Sequence, residues 1–98
     1  MQIPQVIDRF KKEYSIDVKV ETLLFYDRIN LVAVSKNDRQ RNYSEKDYVK
    51  LSKAILLSKE FNMPLEDIDK LLNKHDSTFK DAFLKRKTRL LRILKETL

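Results

Sequence analysis

The sequence predicts a small, mainly α-helical domain with one short β-hairpin. Its 98 residues include no glycine and only two prolines, which leaves too few turn-forming residues for an all-β fold. Apolar residues recur at steps of three and four along most of the chain, as they do in amphipathic helices. The 42% of hydrophobic residues is enough to bury a modest core.

Two helices are predicted before the hairpin. Residues 4–14 form the first, with Pro4 in its opening turn. Its inner face consists of Ile3, Ile7, Phe10 and Tyr14. Residues 19–29 form the second, although its first residues alternate in polarity as a strand would. Asn30 suits the end of that helix, because asparagine tolerates positive φ well.

Residues 31–43 show the pattern of a small hairpin. They begin with a β-like run, Leu-Val-Ala-Val, and continue through the turn-forming cluster Lys-Asn-Asp at 36–38. Ser44 follows, three residues before Asp47. This spacing is a capping box, and it predicts that a third helix starts here and runs to about Phe61.

Two further helices complete the prediction. Asn62 would end the third helix and Pro64 would start the fourth, whose inner stripe is Leu65, Ile68, Leu71 and Leu72. The last helix begins at Ser77 and has an apolar stripe of Phe83, Leu84, Leu90, Leu91, Leu94 and Leu98. Its opposite side carries Lys85, Arg89, Arg92 and Lys95. Because that stripe must be covered, the helix packs on its own domain or on a second chain, and we divide the chain into residues 1–76 and 77–98.

Composition narrows the possible functions. A net charge of +6 favours an anionic partner such as nucleic acid. The absence of cysteine and the single histidine, His75, make a metal site improbable, and no catalytic constellation is present. We therefore expect a protein that is not an enzyme and needs no cofactor. No run is long enough to cross a bilayer and no signal peptide opens the chain, so we expect a cytoplasmic protein without a membrane partner.

The predicted order of helix, turn, helix, hairpin, helix and helix suggests a winged helix-turn-helix. Three segments make the resemblance more specific. Residues 22–27, Thr-Leu-Leu-Phe-Tyr-Asp, resemble the Thr-Leu-Arg-Tyr-Tyr-Glu of MerR-like DNA-binding domains. Residues 41–47 resemble the Arg-x-Tyr-x-x-x-Asp that leaves their wing, and 63–72 resemble their closing Phe-Ser-Leu-Glu-Glu-Ile-x-x-Leu-Leu. The chain is thus similar to that family over roughly residues 5–75.

The resemblance implies a homodimer on double-stranded DNA. Helix 2 would enter the major groove, the hairpin would hold the flanking backbone as a wing, and the apolar stripe of the last helix, Phe83 to Leu98, would pair with its copy. The implied DNA-binding residues are Lys19, Thr22, Tyr26, Arg28, Lys36, Arg39, Arg41 and Tyr43. Among these, Tyr43 would also anchor the wing. Because nothing follows the last helix, no effector domain is expected.

Departures from the family pattern leave alternatives open. Leu24 stands where an arginine is usual, and Glu21 where a basic residue is frequent. Together with Phe25, they are compatible with a protein-interaction module, such as an antirepressor or assembly factor, on the same fold. Tyr26 is compatible with a core position as well as a DNA contact. The basic side of the last helix is compatible with a merely solvated face.

Overall fold

The computed structural model describes residues 1–37 and 40–97, without the side chains of Asn37 and Thr97. Within these residues the elements are α1 (Ile3–Tyr14), α2 (Val20–Arg28), β1 (Ser35–Asn37), β2 (Gln40–Asn42), α3 (Glu45–Phe61), α4 (Leu65–Leu72) and α5 (Ser77–Thr97). The strands β1 and β2 are antiparallel, with Lys36 opposite Arg41. The predicted winged helix-turn-helix with a small hairpin and a C-terminal amphipathic helix is confirmed.

The start of the hairpin differs from the prediction. The apolar run that opens residues 31–43 is not a strand, since β1 begins only at Ser35. Leu31 and Val32 are buried in the core instead. Their backbone N–H groups donate to the Tyr26 carbonyl at 2.9 and 3.1 Å. A short apolar run is compatible either with a strand or with a turn whose side chains are buried. Here the run is a buried turn, because its side chains close the core behind α2.

Helix ends in this glycine-free chain use other residues in the left-handed conformation. Asn30 and Asn62 have φ values of 60° and 49°, which confirms the two predicted asparagine stops. Ser15, with a φ of 57°, ends α1, and its N–H donates to the Lys11 carbonyl. His75, just beyond α4, is also left-handed at 49°. The capping box at α3 is present as predicted, with Ser44 and Asp47 exchanging hydrogen bonds of 3.1 and 2.9 Å.

The core lies between α1, α2 and α3, with α4 closing one side. Its largest fully buried side chains are Tyr43, Tyr48, Phe10, Leu23, Leu31, Leu51, Ile55 and Ile68. A charged group ties α1 to α3 at the edge of this core. The Arg9 guanidinium donates twice to Glu45, at 2.7 Å each, and lies 3.9 Å from the centre of the Tyr48 ring. Tyr48 donates in turn to Glu13, and burial together with that bond raises the pKa of Tyr48 to about 12.

The helix α5 is packed at its beginning and uncovered farther along. Phe79 and Phe83 pack against the core, and the Phe83 ring meets that of Phe61 edge to face at 5.8 Å. The later apolar side chains are much more exposed: Leu84 45%, Leu90 57%, Leu91 49% and Leu94 45%. Of the predicted dimer residues, Phe83 therefore contacts its own chain, and Leu98 lies outside the described residues.

The left-handed Ser15 predicts a stabilising glycine substitution. Serine has a Cβ that glycine lacks, so Ser15→Gly should raise the free energy of unfolding by about 0.5–1 kcal/mol. Urea denaturation measures this change. The control Ala82→Gly, at an exposed position inside α5, should lower the same quantity by about 1 kcal/mol. A loss of stability in both variants would contradict the prediction.

Candidate functional site

The end of α2 and the hairpin enclose a surface cleft. Leu24, Asp27, Arg28, Asn30, Lys36 and Arg41 line it. Three of the residues predicted from the sequence, Arg28, Lys36 and Arg41, therefore meet in one place. They come from three different elements, α2, β1 and β2. Folding thus gives the helix and the hairpin a shared cationic face.

Asp27 holds that face together. Its carboxylate accepts a hydrogen bond of 2.6 Å from Arg41 Nε and one of 3.3 Å from the N–H of Val34. Only 11% of the Asp27 side chain and 22% of the Arg41 side chain are exposed. The pair thus joins the last turn of α2 both to the segment entering β1 and to β2. It also neutralises part of the Arg41 charge.

The protonation of Asp27 follows from these contacts. Burial favours the neutral carboxyl, but the hydrogen bonds from Arg41 and Val34 outweigh it and hold the pKa of Asp27 below its ordinary value of 3.8. The carboxylate is therefore charged at neutral pH. Its stabilising contribution is complete above pH 3.8 and is lost as the pH falls through the lowered pKa.

The other predicted contacts on α2 differ in exposure. Lys19 is exposed at the N-cap, and Thr22 is half-buried in the first turn. Arg28 is exposed in the last turn, with its guanidinium 5.5 Å from the centre of the Phe25 ring. Phe25 itself is 36% exposed. The exposed residues of α2 and its N-cap therefore include two cations, an aromatic ring and, at Glu21, a carboxylate.

Two predicted DNA contacts lie in the core. Tyr26 is 6% exposed and Tyr43 2% exposed. The Tyr26 hydroxyl is hydrogen-bonded to Ser58, and burial raises its pKa. Burial likewise raises the pKa of Tyr43 to about 12. Their side chains therefore do not contribute to the cationic face. The two rings instead fill the space behind α2 and the hairpin.

The backbone of Tyr43 agrees with an anchoring position at the base of the wing. Its N–H donates to the Met1 carbonyl at 2.6 Å, which joins the end of β2 to the start of α1. Arg39, the remaining predicted contact, lies outside the described residues.

The pairing of Asp27 with Arg41 is not predicted from the sequence. There, Asp27 is only the last residue of the segment 22–27, and Arg41 is only one of the implied DNA-binding residues. Both residues lie in segments that carry the family resemblance, where an acidic residue and an arginine stand at these two positions. That coincidence was the available signal. A single sequence has no other sign that two residues fourteen positions apart are in contact.

Two other kinds of site are absent from the described residues. Nowhere in residues 1–37 and 40–97 do three or more His, Cys, Asp or Glu side chains come together so that they could hold a metal ion. Nor does this part of the chain include a helix with the length and apolarity to cross a membrane.

Comparisons with known proteins agree with the fold. The family model described as MerR HTH family regulatory protein matches residues 14–75, which include α2, the hairpin, α3 and α4. Two curated relatives, each named "Probable GTP-binding protein EngB", match over 96 residues or 95% of this chain. The one from Pyrococcus abyssi is 29% identical and the one from Pyrococcus horikoshii 28% identical. The chain spans only 42% and 41% of their lengths. No solved structure matches the chain significantly.

The Asp27 contacts predict a pH-dependent effect of substitution. At neutral pH, Asp27→Asn should lower the free energy of unfolding by about 2 kcal/mol, because charged hydrogen bonds are lost. The gap to the wild type should begin to narrow as the pH falls below 3.8, and it should close once the pH is below the lowered pKa, where the wild-type carboxyl is neutral. Urea denaturation of both proteins at several pH values measures this difference in the free energy of unfolding.

Asp8→Asn is the matched control. Asp8 pairs with Lys12 on the surface, where the two side chains are 65% and 75% exposed, and such pairs contribute less than about 1 kcal/mol. Equal losses in the two variants, or a gap for Asp27→Asn that does not narrow as the pH falls below 3.8, would rule out the proposed role of the carboxylate.

Proposed function

Because the chain belongs to the MerR HTH family of regulatory proteins, we propose that it binds double-stranded DNA sequence-specifically as a homodimer. In this proposal it regulates transcription or serves as an accessory factor in recombination, through occupancy or bending of its site. Binding, rather than catalysis, is its activity.

The cleft between α2 and the hairpin is the observation that carries this proposal. Arg28, Lys36 and Arg41 meet there although they come from three elements. Cations on a helix end and on an adjacent hairpin suit a duplex whose groove receives the helix and whose flanking phosphates contact the hairpin. Asp27 holds the two elements in one arrangement, so the duplex meets a preformed surface.

Base selectivity would come from the exposed side of α2. Lys19 is the N-cap of α2 and Thr22 lies in its first turn. At these positions a lysine ammonium is able to contact guanine, and a hydroxyl is able to contact either kind of base pair. Leu24 is half-buried beside the cleft and suits a thymine methyl group. In this proposal phosphate contacts supply most of the affinity, and these few contacts supply the discrimination.

The uncovered stripe of α5 supports the homodimer. Leu90, Leu91 and Leu94 expose about half of their side chains, and helix pairing would remove these groups from water. We propose that residues 77–98 form the dimerisation segment and residues 1–76 the DNA-binding domain. Two copies would then read a two-fold symmetric site.

The GTP-binding named in the curated relatives is not carried over to these residues. Phosphate-binding loops of GTP-binding proteins need glycines where the backbone approaches the nucleotide. This sequence contains none. We therefore propose that the relatives share with this chain a helix-turn-helix region rather than the nucleotide site.

A second candidate is a protein-interaction module on the same fold. Phe25 is exposed on α2 next to Leu24, and Glu21 adds a negative charge to the same helix. An aromatic ring beside a partly exposed leucine suits an apolar partner surface. This candidate is favoured if the wild-type protein does not bind duplex DNA in the experiment below.

Neutralising one cation of the cleft tests DNA binding. Arg28→Gln and Lys36→Gln should each weaken binding to all duplexes and lower the slope of log K against log salt by about one, because one phosphate contact is lost. Fluorescence anisotropy with a duplex selected from a random pool measures both quantities. Lys59→Gln, an exposed lysine on α3, is the control and should leave the slope unchanged. Slopes that do not distinguish the three variants would contradict the proposed interface.

The homodimer has its own test. Sedimentation at micromolar concentration should give twice the chain mass of 11.8 kDa for the wild type. Leu91→Glu, which places a charge in the apolar stripe, should give the chain mass alone. Ala82→Glu introduces the same side chain at an exposed position on the side of Lys85 and Arg89, away from the apolar stripe, and should leave the dimer intact. A monomeric wild type would contradict pairing through α5.

A further inference from the structure

The positive charge of the protein is concentrated on its last helix. Residues 77–98 contain seven Lys and Arg residues against two Asp and Glu, a net charge of +5. Residues 1–76 contain fourteen against thirteen, a net charge of +1. The unit that contains the helix-turn-helix is thus nearly neutral. Most of the long-range attraction for an anionic partner therefore originates from α5.

The cations of α5 are available for such a partner. Throughout the part of the chain that the structure describes, no ion pair within 4.0 Å involves them. All seven residues are exposed: Lys80, Lys85, Arg86, Lys87, Arg89, Arg92 and Lys95. Lys87 differs from the others, since its ammonium lies 5.2 Å from the centre of the Phe61 ring. In the helix-turn-helix unit, by contrast, Arg9 and Arg41 are held by carboxylates.

Three of these cations form one face. Lys85, Arg89 and Arg92 follow each other at steps of four and three, which places them on one side of the helix. With Asp81, Leu84 and Thr88 they line a shallow surface cleft. At 1.5 Å per residue they extend over about 10 Å. That length is comparable to a few successive phosphates of a nucleic-acid backbone.

We propose that this basic face, Lys85, Arg89 and Arg92, binds the phosphate backbone of duplex DNA outside the site occupied by α2 and the hairpin. The proposal rests on the proposed function in taking DNA as the ligand, but it does not require the cleft contacts. The face adds affinity for any sequence, whereas α2 discriminates between sequences. In this way α5 supplies the positive charge for DNA binding that the nearly neutral helix-turn-helix unit lacks.

The family of the chain favours DNA over an anionic membrane as the ligand of the basic face. The basic face lies opposite the apolar stripe that contains Leu91 and Leu94, and this arrangement suits either a duplex or an anionic membrane surface. The helix-turn-helix of the MerR family is a DNA-binding motif, and this favours the duplex. If the stripe pairs with a second copy, the same cations form an outward ridge on which a duplex can lie.

A charge-neutralised triple variant tests the proposal. Lys85→Gln/Arg89→Gln/Arg92→Gln should weaken binding to a selected duplex and to an unrelated one by the same factor, at least about tenfold at 0.1 M salt. The salt slope should fall by about two to three, and the ratio of the two affinities should stay unchanged. Sedimentation should show the wild-type oligomeric state. The matched control, Lys46→Gln/Lys53→Gln/Lys59→Gln, removes the same charge from exposed positions of α3 and should change affinity less than threefold.

Each alternative outcome has a definite meaning. If the two triple variants weaken binding equally, only net charge matters, and the proposal is overturned. It is also overturned if the α5 variant keeps wild-type DNA binding but loses binding to vesicles of equal phosphatidylserine and phosphatidylcholine. When Arg28→Gln weakens binding and the α5 variant does not, the inference fails while the proposed function stands. The reverse result supports the basic face and removes the cleft from the interface.

Discussion

One largely buried carboxylate determines the position of the hairpin relative to α2, the helix that precedes it in the chain. Asp27 accepts hydrogen bonds from Arg41 on β2 and from Val34 before β1. Each strand is only three residues long, and a two-stranded hairpin of this size is marginally stable by itself. The wing therefore depends on contacts outside its own ladder. The same carboxylate neutralises part of the Arg41 charge. The ion pair that holds the cleft in place therefore also lowers its positive potential.

The distribution of charge follows from this compromise. In the helix-turn-helix unit, carboxylates that order the fold also neutralise arginines: Asp27 holds Arg41, and Glu45 and Glu13 hold Arg9. The helix α5 has no comparable constraint, because its later half makes little contact with the core. Its cations stay exposed on the side opposite the apolar stripe. The charged residues of the helix-turn-helix unit thus mainly stabilise the fold, whereas those of α5 are available to attract an anionic partner.

The family resemblance pointed to α2 and the hairpin as the candidate site, but it did not determine which of their side chains reach the surface. Tyr26 and Tyr43 match positions associated with DNA contact, yet both are buried. Their rings fill the core behind α2 and the hairpin. Arg28 and Lys36 match the same surface and are exposed. A matched position therefore has to be combined with its burial before a role is transferred.

The sequence by itself determined the helices, several of their ends and the family, because these depend on local signals. The signals are periodic apolar residues, the capping box from Ser44 to Asp47, the asparagines that end α2 and α3, and three short segments that resemble the family. Tertiary structure decided the rest. Whether Leu31 and Val32 belong to a strand or to the core, whether Tyr26 faces inward, and which carboxylate meets Arg41 all depend on contacts between distant segments. Such contacts have no periodicity along the chain, so a single sequence does not reveal them.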